Sequence, residues 1–469
     1  MLIAIIIDLI IIAGICFLGF LVTIRLLKRP TLFELFSLSF PLGAGLLTWI
    51  LFILGWAFMP IRLYTVSLVW LILIIGLLLL RLRKQQVEDT FTPLGTAGNR
   101  RRQDVALKIA VAIFGLILCT SMFLSVGRSY SSYDAISMWA PKGYGIALEQ
   151  SLWGATLGSH DLAYPLNIHF IIALFRLASG DILPGSKVAF SLFYISLLFG
   201  ATAYALRRGV HTRLAVILMV VIATIPVLFE HSTIGYANLP MSVYLVLAVL
   251  WGIEGIFNEK KHTQVLSGLL FGFTIWTIVE GGLFVLAATL ALIAAKLITR
   301  KGRIYPLHWF LPVVLIGGSW VLFYKLYGVQ GSQAMGAVQK MWDSILQGQW
   351  RLSNIRLILG YTRRNIFIFD TWGLVYPAGI ITLLVGWKYL LPKQNRYSFA
   401  LLLVALNTGA LTLGLFYLRS FAIPGLYELL ERGLPRGFIS PTVFFCMAFV
   451  LVAGELVAAF SEDYPIDIS

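Results

Sequence analysis

Apolar runs recur along almost the whole chain, at about residues 2–24, 33–58, 62–82, 107–126, 184–206, 213–230, 237–257, 263–279, 282–298, 305–327, 365–390, 397–418 and 437–459. A helix needs ~20 consecutive, mostly apolar residues to cross a hydrocarbon core. Lipid offers no water to an open backbone, so helices are the natural spanning form. The pattern predicts an all-α, polytopic integral membrane protein with about 13 transmembrane helices. One further apolar stretch, 165–178, is too short to cross comfortably, and its status sets the topology.

Charge addresses that status. Basic residues gather between the runs: Arg25, Lys28 and Arg29; Arg81, Arg83 and Lys84 with Arg100, Arg101 and Arg102; Arg207, Arg208 and Arg213; Lys260 and Lys261; Lys296, Arg300, Lys301 and Arg303; Lys388, Lys393 and Arg396. If 165–178 does not span, all of them fall on one side, as the cytoplasmic bias of Lys and Arg requires. If it spans, every later cluster changes side. The stretch is therefore read as a helix lying in or dipping into the outer interface, with a short true span as the alternative. The N-terminus is then outside and the C-terminus cytoplasmic. The outer face holds residues 127–180, 230–238, 280–282, 327–364 and 419–436. Residues 1–82 form three helices open to reading as an accessory addition, 83–106 a basic cytoplasmic linker, 107–327 the core, 328–364 an outer loop and 365–469 the C-terminal helices.

Composition narrows the class. With 59% hydrophobic and 12% charged residues and a mean hydropathy of +0.88, a soluble globular protein is excluded. The formal charge of +15 is carried by short clusters between apolar runs, which is a topological pattern and not a nucleic-acid surface. Cys16, Cys119 and Cys446 all lie inside apolar runs, so neither a disulfide framework nor a metal-spaced set is readable. Residues 1–24 stay apolar for too long, without a basic start, to read as a removable signal peptide.

The candidate chemistry sits in the longest polar interval, 131–169. It holds Asp134, Lys142, Glu149, His160 and Asp161, interleaved with Trp139, Tyr144, Trp153 and Tyr164. A passive connector needs only a few turn residues. Asp134 follows closely on a span, where a carboxylate can act as a general base if the acceptor comes within hydrogen-bond reach; a lone acid there is also a common solvated cap. Lys142 can pair with a phosphate. His160, Asp161 and Tyr164 lead into the short helix, whose Asn167 and His169 can face the same cleft, although His160 reads equally well as an exposed loop histidine. No helical ligand spacing marks a metal site. On the outer face, Arg363, Arg364, Arg419, Arg432 and Arg436 present planar forks suited to phosphate oxygens, against a reading as interfacial arginines reaching to headgroups. Asp8, Glu34 and Asp370 lie near helix ends and are left out of the site.

The segments YDAISMWAPKGYGIALEQ (133–150) and HDLAYPLNIHFIIALF (160–175) resemble the first outer loop of GT-C fold membrane glycosyltransferases. They are similar to the family 39 dolichyl-phosphate-mannose protein mannosyltransferases and the aminoarabinose transferases of lipid A. EHSTIGYANLPMSVY (230–244) resembles the second outer loop of that group, with Asn238 where relatives carry Asp. In LSGLLFGFTIWTIVEGGL (266–283), Thr277, Glu280 and Gly281 match a Thr-Lys-Asn-Glu-Gly helix end, while Ile278 and Val279 replace its polar pair. The resemblance covers roughly residues 123–300.

The resemblance implies a GT-C-like core with a large first extracytoplasmic loop containing an interfacial helix. It implies inverting transfer of a sugar, a hexose or pentose, from a polyprenyl-phosphate-linked donor to an extracytoplasmic lipid, glycan or protein acceptor. The protein is expected in the plasma membrane, multi-pass, with its active site on the outer face. Asp134 is the expected base and Glu280 a second carboxylate; Lys142, Trp139, Tyr144, His160, Asp161, Tyr164, Tyr236, Asn238, Arg363 and Arg436 are the expected substrate contacts. No cofactor is required by this pattern; a divalent metal is left open, because Asn238 lacks the charge of the family's acid. The alternatives are a catalytically silent polyprenyl-lipid-binding member of the same fold, and a transporter. Against the transporter, the polar residues gather at one face, and not at the bilayer midplane between symmetry-related broken helices.

Overall fold

The computed structural model describes residues 2–82, 105–127, 129–130, 132–154, 164–181, 185–327, 333–422 and 425–463. The chain runs α1 (Leu2–Leu26), α2 (Leu32–Trp56), α3 (Leu63–Leu82), α4 (Val105–Gly127), a π-helical turn at Ala135–Trp139, α5 (Ala140–Glu149) and α6 (Asn167–Ser179). It continues through α7 (Gly185–Arg207), α8 (Thr212–Ala223), α9 (Pro226–Ile234), α10 (Asn238–Phe257), α11 (Lys261–Thr277), α12 (Gly281–Thr299) and α13 (Pro306–Leu326). After α14 (Gln333–Leu346) and α15 (Leu352–Asn365) come a helical turn at Phe369–Trp372, α16 (Val375–Val385), a 3-10 turn at Trp387–Leu390, α17 (Arg396–Arg419), α18 (Leu426–Gly437) and α19 (Ile439–Asp463). The basic linker expected at 83–106 lies almost wholly outside the described residues.

Among the described residues, ten helices are long and apolar enough to cross a membrane: α1 to α4, α7, α10, α12, α13, α17 and α19. The expectation of about 13 therefore comes down to ten, or eleven if α8 and α9 count as one span bent by 62°. The bend has a cause. Pro226 opens α9 with no N–H to offer α8 and holds Ile225 in an extended conformation. The stretch 263–279 is α11, whose 17 residues reach about 26 Å at 1.5 Å per residue, the lower end of the spanning range, and it runs from Lys260 at one pole to Glu280 at the other. The stretch 365–390 is broken at Gly373, which takes a left-handed φ of 60°, leaving α16 with 11 residues.

The short helix α6 has 13 residues and does not reach across. Nor does it lie on a surface, as an interfacial helix does. Every residue from Asn167 to Phe175 is buried, the polar Asn167 and His169 included. It packs against α1, α2, α5 and α7. A helix buried over more than two full turns on all sides is enclosed by its neighbours, and not laid on an interface with one face in water.

The same logic places α10 at the centre, since every residue from Leu239 to Phe257 is buried. α3 and α4, buried over only 11% and 17% of their apolar windows, face outward. Lipid tails are as apolar as leucine, so helices associate by close packing and interhelical hydrogen bonds. At the α1–α2 crossing the backbones touch: a Cβ on Gly19 would lie 1.8 Å from the Ser39 carbonyl oxygen, and one on Gly43 1.9 Å from that of Ile15.

The bundle has two unlike ends. At one, Arg207 donates to Glu34 (2.7 Å), Arg208 pairs with Glu254 and lies 4.1 Å over the Tyr397 ring, and Lys260 meets Glu254 at 2.9 Å. Gln264 donates to the Arg303 carbonyl at 2.7 Å, and Arg25 reaches the Leu80 carbonyl at 3.2 Å. Among the described residues the basic clusters thus share one pole. The connections from α4 to the π-helical turn, α9 to α10 and α11 to α12, together with α18, lie at the other.

Candidate functional site

Four buried serines fix the framework on which the polar pole is built. Ser121 and Ser125, one turn apart on α4, both meet Ser191 of α7 at 2.8 Å. Ser121 also meets Ser232 of α9 at 2.7 Å. These contacts tie together the two helices whose following residues are Asp134 and Tyr236. A further knot secures the loop after α4: Tyr130 meets Ser186 at 2.7 Å, and Lys187 donates to the Ser129 carbonyl at 3.3 Å.

Asp134 leads into the π-helical turn at Ala135–Trp139, a local geometry often found at functional sites. Arg436 sits in the last turn of α18, where a cation is favoured by the helix dipole. α18 lays Leu430 and Leu434, one turn apart, against the bundle. Arg436 Nη1 donates to Asp134 Oδ2 at 2.5 Å, and both side chains remain about a quarter exposed. The Asp134 backbone N–H donates to the Tyr236 hydroxyl at 3.3 Å. The Arg436 guanidinium stands 5.7 Å from the Tyr236 ring centre. Partial burial, and then the Asp134 charge, raise the Tyr236 phenol above its ordinary range, with Arg436 and the Asp134 N–H acting the other way. His231 lies edge-on to Tyr236 at 5.7 Å. Its buried Nδ1 has no hydrogen-bond partner among the described residues.

A second acid–arginine pair occupies the same pole. Glu280, immediately before α12, accepts from Arg419 in the last turn of α17. Its other oxygen, Oε2, is buried without a hydrogen-bond partner among the described residues. Arg351 supports this corner from α15's start, donating to the Ser420 carbonyl at 2.8 Å.

The other expected site residues fare differently. Lys142 is buried within α5 at 1% exposure, so it does not stand at the surface where a phosphate was expected to meet it. Trp139 is also buried, edge-on to Tyr164 at 5.4 Å and 5.1 Å from His169. The Tyr144 hydroxyl donates to Asp181 Oδ2 at 2.8 Å, and Arg176 lies 5.2 Å over its ring. Burial, reinforced by Asp181, pushes that phenol well up. Asn167, expected to face a cleft, instead accepts from Thr48 and donates to Thr277, both at 2.8 Å. Asn238 opens α10 and is half-buried. Arg363 is exposed in the last turn of α15, which packs on α18, and makes no ion pair among the described residues. His160 and Asp161 lie outside the described residues. No group of three or more His, Cys, Asp or Glu side chains able to hold a metal occurs among the described residues.

Arg419 and His231 complete the picture that residue reading left partial. Arg419 was one of several outer arginines, with nothing in the sequence to assign it to Glu280. His231 lies inside the 230–244 segment, yet no spacing marks it as a neighbour of Tyr236.

No family model and no curated protein matches the chain. Among solved structures it is similar to ArnT from Cupriavidus metallidurans in a crystal structure bound to undecaprenyl phosphate, at 12% sequence identity over 77% of this chain and 80% of that chain, with a TM-score of 0.41.

Proposed function

We propose that this protein is a membrane glycosyltransferase that takes a sugar from a polyprenyl-phosphate-linked donor and delivers it to an extracytoplasmic acceptor. The reading is carried by one observation, the Asp134–Arg436 ion pair at the pole opposite the basic clusters. Lys and Arg favour the cytoplasmic side, which assigns the acid–arginine pole to the outer leaflet. The helices around it, residues 107–327, form the catalytic core in this reading, and residues 365–469 supply the arginines.

The pair supplies the two groups that such a transfer requires. Asp134 takes the proton of the acceptor hydroxyl as its oxygen bonds to the anomeric carbon. The bond from that carbon to the donor phosphate breaks, its electrons leave with the polyprenyl phosphate, and Arg436 holds the developing charge. With no substrate present the two side chains neutralise each other. An ion pair this exposed contributes roughly 0–1 kcal/mol, whereas an arginine–phosphate contact is charge-assisted and often bidentate. Donor binding therefore exchanges Asp134 for phosphate at Arg436 and releases the carboxylate for use as a base.

Asp134→Asn in the full chain tests this. Transfer of labelled sugar to membrane glycoconjugates is expected to vanish while the solubilised protein still retains a polyprenyl phosphate. Undiminished transfer by the variant would sink the proposal. A second reading, a silent lipid-binding member, is favoured by the burial of Lys142 and by Ile278 and Val279 in place of a polar pair. It predicts unchanged cellular glycoconjugates when the wild-type protein is removed.

A further inference from the structure

A cavity of ≈1080 Å³ opens at the basic pole, between the ends of α7, α12, α17 and α19. Its size is just above the roughly 300–1,000 Å³ typical of small-molecule sites. Arg207, Arg208, Arg300, Lys301, Lys393 and Arg396 all line it. Glu455 is the acid among its lining residues, and it accepts from Asn395 at 2.9 Å.

The cations divide into two groups. Arg207 and Arg208 are matched by the buried carboxylates of Glu34 and Glu254, and their role there is structural. Arg300, Lys301 and Lys393 are exposed and form no ion pair among the described residues. Arg396 is held by the Tyr397 hydroxyl at 2.9 Å. The Nε of Arg208 is buried with no hydrogen-bond partner among the described residues. Cytoplasmic bias alone explains basic residues at this pole, but does not require that they converge on one hollow. Helix-end compensation explains Arg207 and Arg300, at the C-termini of α7 and α12, but not Lys393, which follows a 3-10 turn.

The cavity also has an apolar lining, with Val210 and Leu451 buried and Gly454 and Ile298 beside them, and Ile298 and its neighbour Leu297 on α12 are 55% and 61% exposed. A cavity lined by exposed cations and by buried apolar side chains, beside an exposed apolar turn, fits an amphiphile with a negatively charged head. We infer that this cavity binds a phosphate group, presented by the headgroup of an anionic membrane lipid. The site is separate from the acid–arginine pole and independent of any transferase activity there.

The full-length protein in neutral detergent tests this by titration with dioctanoyl phosphatidylglycerol, dioctanoyl phosphatidylcholine and inorganic pyrophosphate. The anionic lipid is expected to bind saturably and at least about ten-fold tighter than the zwitterionic one, with affinity falling as salt rises. The R300G/K301Q/K393Q triple variant is expected to lose about ten-fold of that affinity. Arg300 has a φ of 52°, a conformation that glycine adopts without steric cost, and the other two side chains are exposed, so folding is retained. Should the triple variant melt early, Lys393→Gln alone carries the test, with a smaller loss expected. Displacement of the bound anionic lipid by pyrophosphate supports phosphate recognition, whereas saturable pyrophosphate binding with no binding of the anionic lipid overturns the lipid assignment in favour of a soluble phosphate. Equal affinity for the two lipids with no pyrophosphate binding, or wild-type affinity in the variants, overturns the inference.

Discussion

Asp134 and Arg436 stand 302 positions apart in the chain and meet at 2.5 Å. One side chain is carried by the turn after α4 and the other by the last turn of α18, so the contact closes the polar pole between the first and last thirds of the protein. Tyr236 joins both, accepting from the Asp134 backbone and facing the Arg436 guanidinium. Because the pair remains partly exposed, it is available for exchange with an incoming anion and adds little to stability.

Arg436→Ala therefore separates activity from folding. Loss of a partly exposed pair is expected to cost about 1 kcal/mol or less, a small shift in the unfolding midpoint. Sugar transfer is expected to fall about 100-fold or more, because a preorganised cation is removed from the leaving phosphate. Arg436→Lys keeps the charge but not the planar fork, and should lie between the two. The reversed pair, Asp134→Arg with Arg436→Asp, is expected to keep the fold and restore no transfer. Labelled-sugar transfer and thermal unfolding on the same preparations check all three.

Tyr236 gives the pole a pH signature. Its phenol is raised in the folded protein, mainly by desolvation. In the unfolded chain it ionises near its ordinary value of about 10. Above that pH the unfolded chain sheds the proton first, so the contribution to stability is complete below about pH 10 and is lost as pH climbs towards the folded value. Tyr236→Phe should flatten that decline in unfolding midpoint measured from pH 9 to 11. An unchanged slope assigns the decline to other groups.

How far the sequence led can be judged at particular residues. Hydropathy located the long helices because length and apolarity are local properties, and the basic clusters were expected on one side before their pairings were known. Asp134 was legible from its place after α4 and from the resemblance of its surroundings. Arg436 was one arginine of several, since nothing local tells which guanidinium crosses 302 positions to reach which acid. Lys142 and Trp139 read as substrate contacts because they sit in a polar interval, yet the packing of α5 and the preceding π-helical turn against α6 buries both. The span at 213–230 looked continuous because Pro226 adds little to hydropathy while bending the backbone sharply.

Asn167 and Gly43 test the packing that supports the site. Asn167→Leu removes two buried interhelical contacts, but Thr48 and Thr277 each keep a bond to their own helix. Side-chain hydrogen bonds within membranes average about 0.6 kcal/mol, so a loss of roughly 1 kcal/mol is expected. Gly43→Leu is harsher. Its Cβ would lie 1.9 Å from a backbone oxygen of α1, which no side-chain rotation relieves. Forced separation of α1 from α2 should cost about 1–3 kcal/mol or more. Unfolding midpoints in one detergent rank the two, and a milder effect at Gly43 than at Asn167 contradicts the close crossing.

Glu280 and Asp134 are both acids, both paired with arginine and both at the same pole, so the choice of base requires a distinction between them. The distinction lies in access. Oε2 of Glu280 is buried with no partner among the described residues, and its other oxygen is taken by Arg419. An acceptor hydroxyl has no oxygen of Glu280 to reach while that pair holds. Asp134 is about a quarter exposed and stands at the turn into a π-helical segment. If Glu280 positions α12 against α17 and Asp134 takes the proton, Glu280→Gln should lower transfer by less than about 10-fold while Asp134→Asn lowers it by 100-fold or more. The unfolding midpoints should fall little and by similar amounts, because both pairs are partly exposed, Glu280 and Arg419 at 20% and 35% and Asp134 and Arg436 at 25% and 26%, and such pairs contribute about 1 kcal/mol or less. The reverse order of transfer rates would make Glu280 the base and leave Asp134 as the partner that orients Arg436.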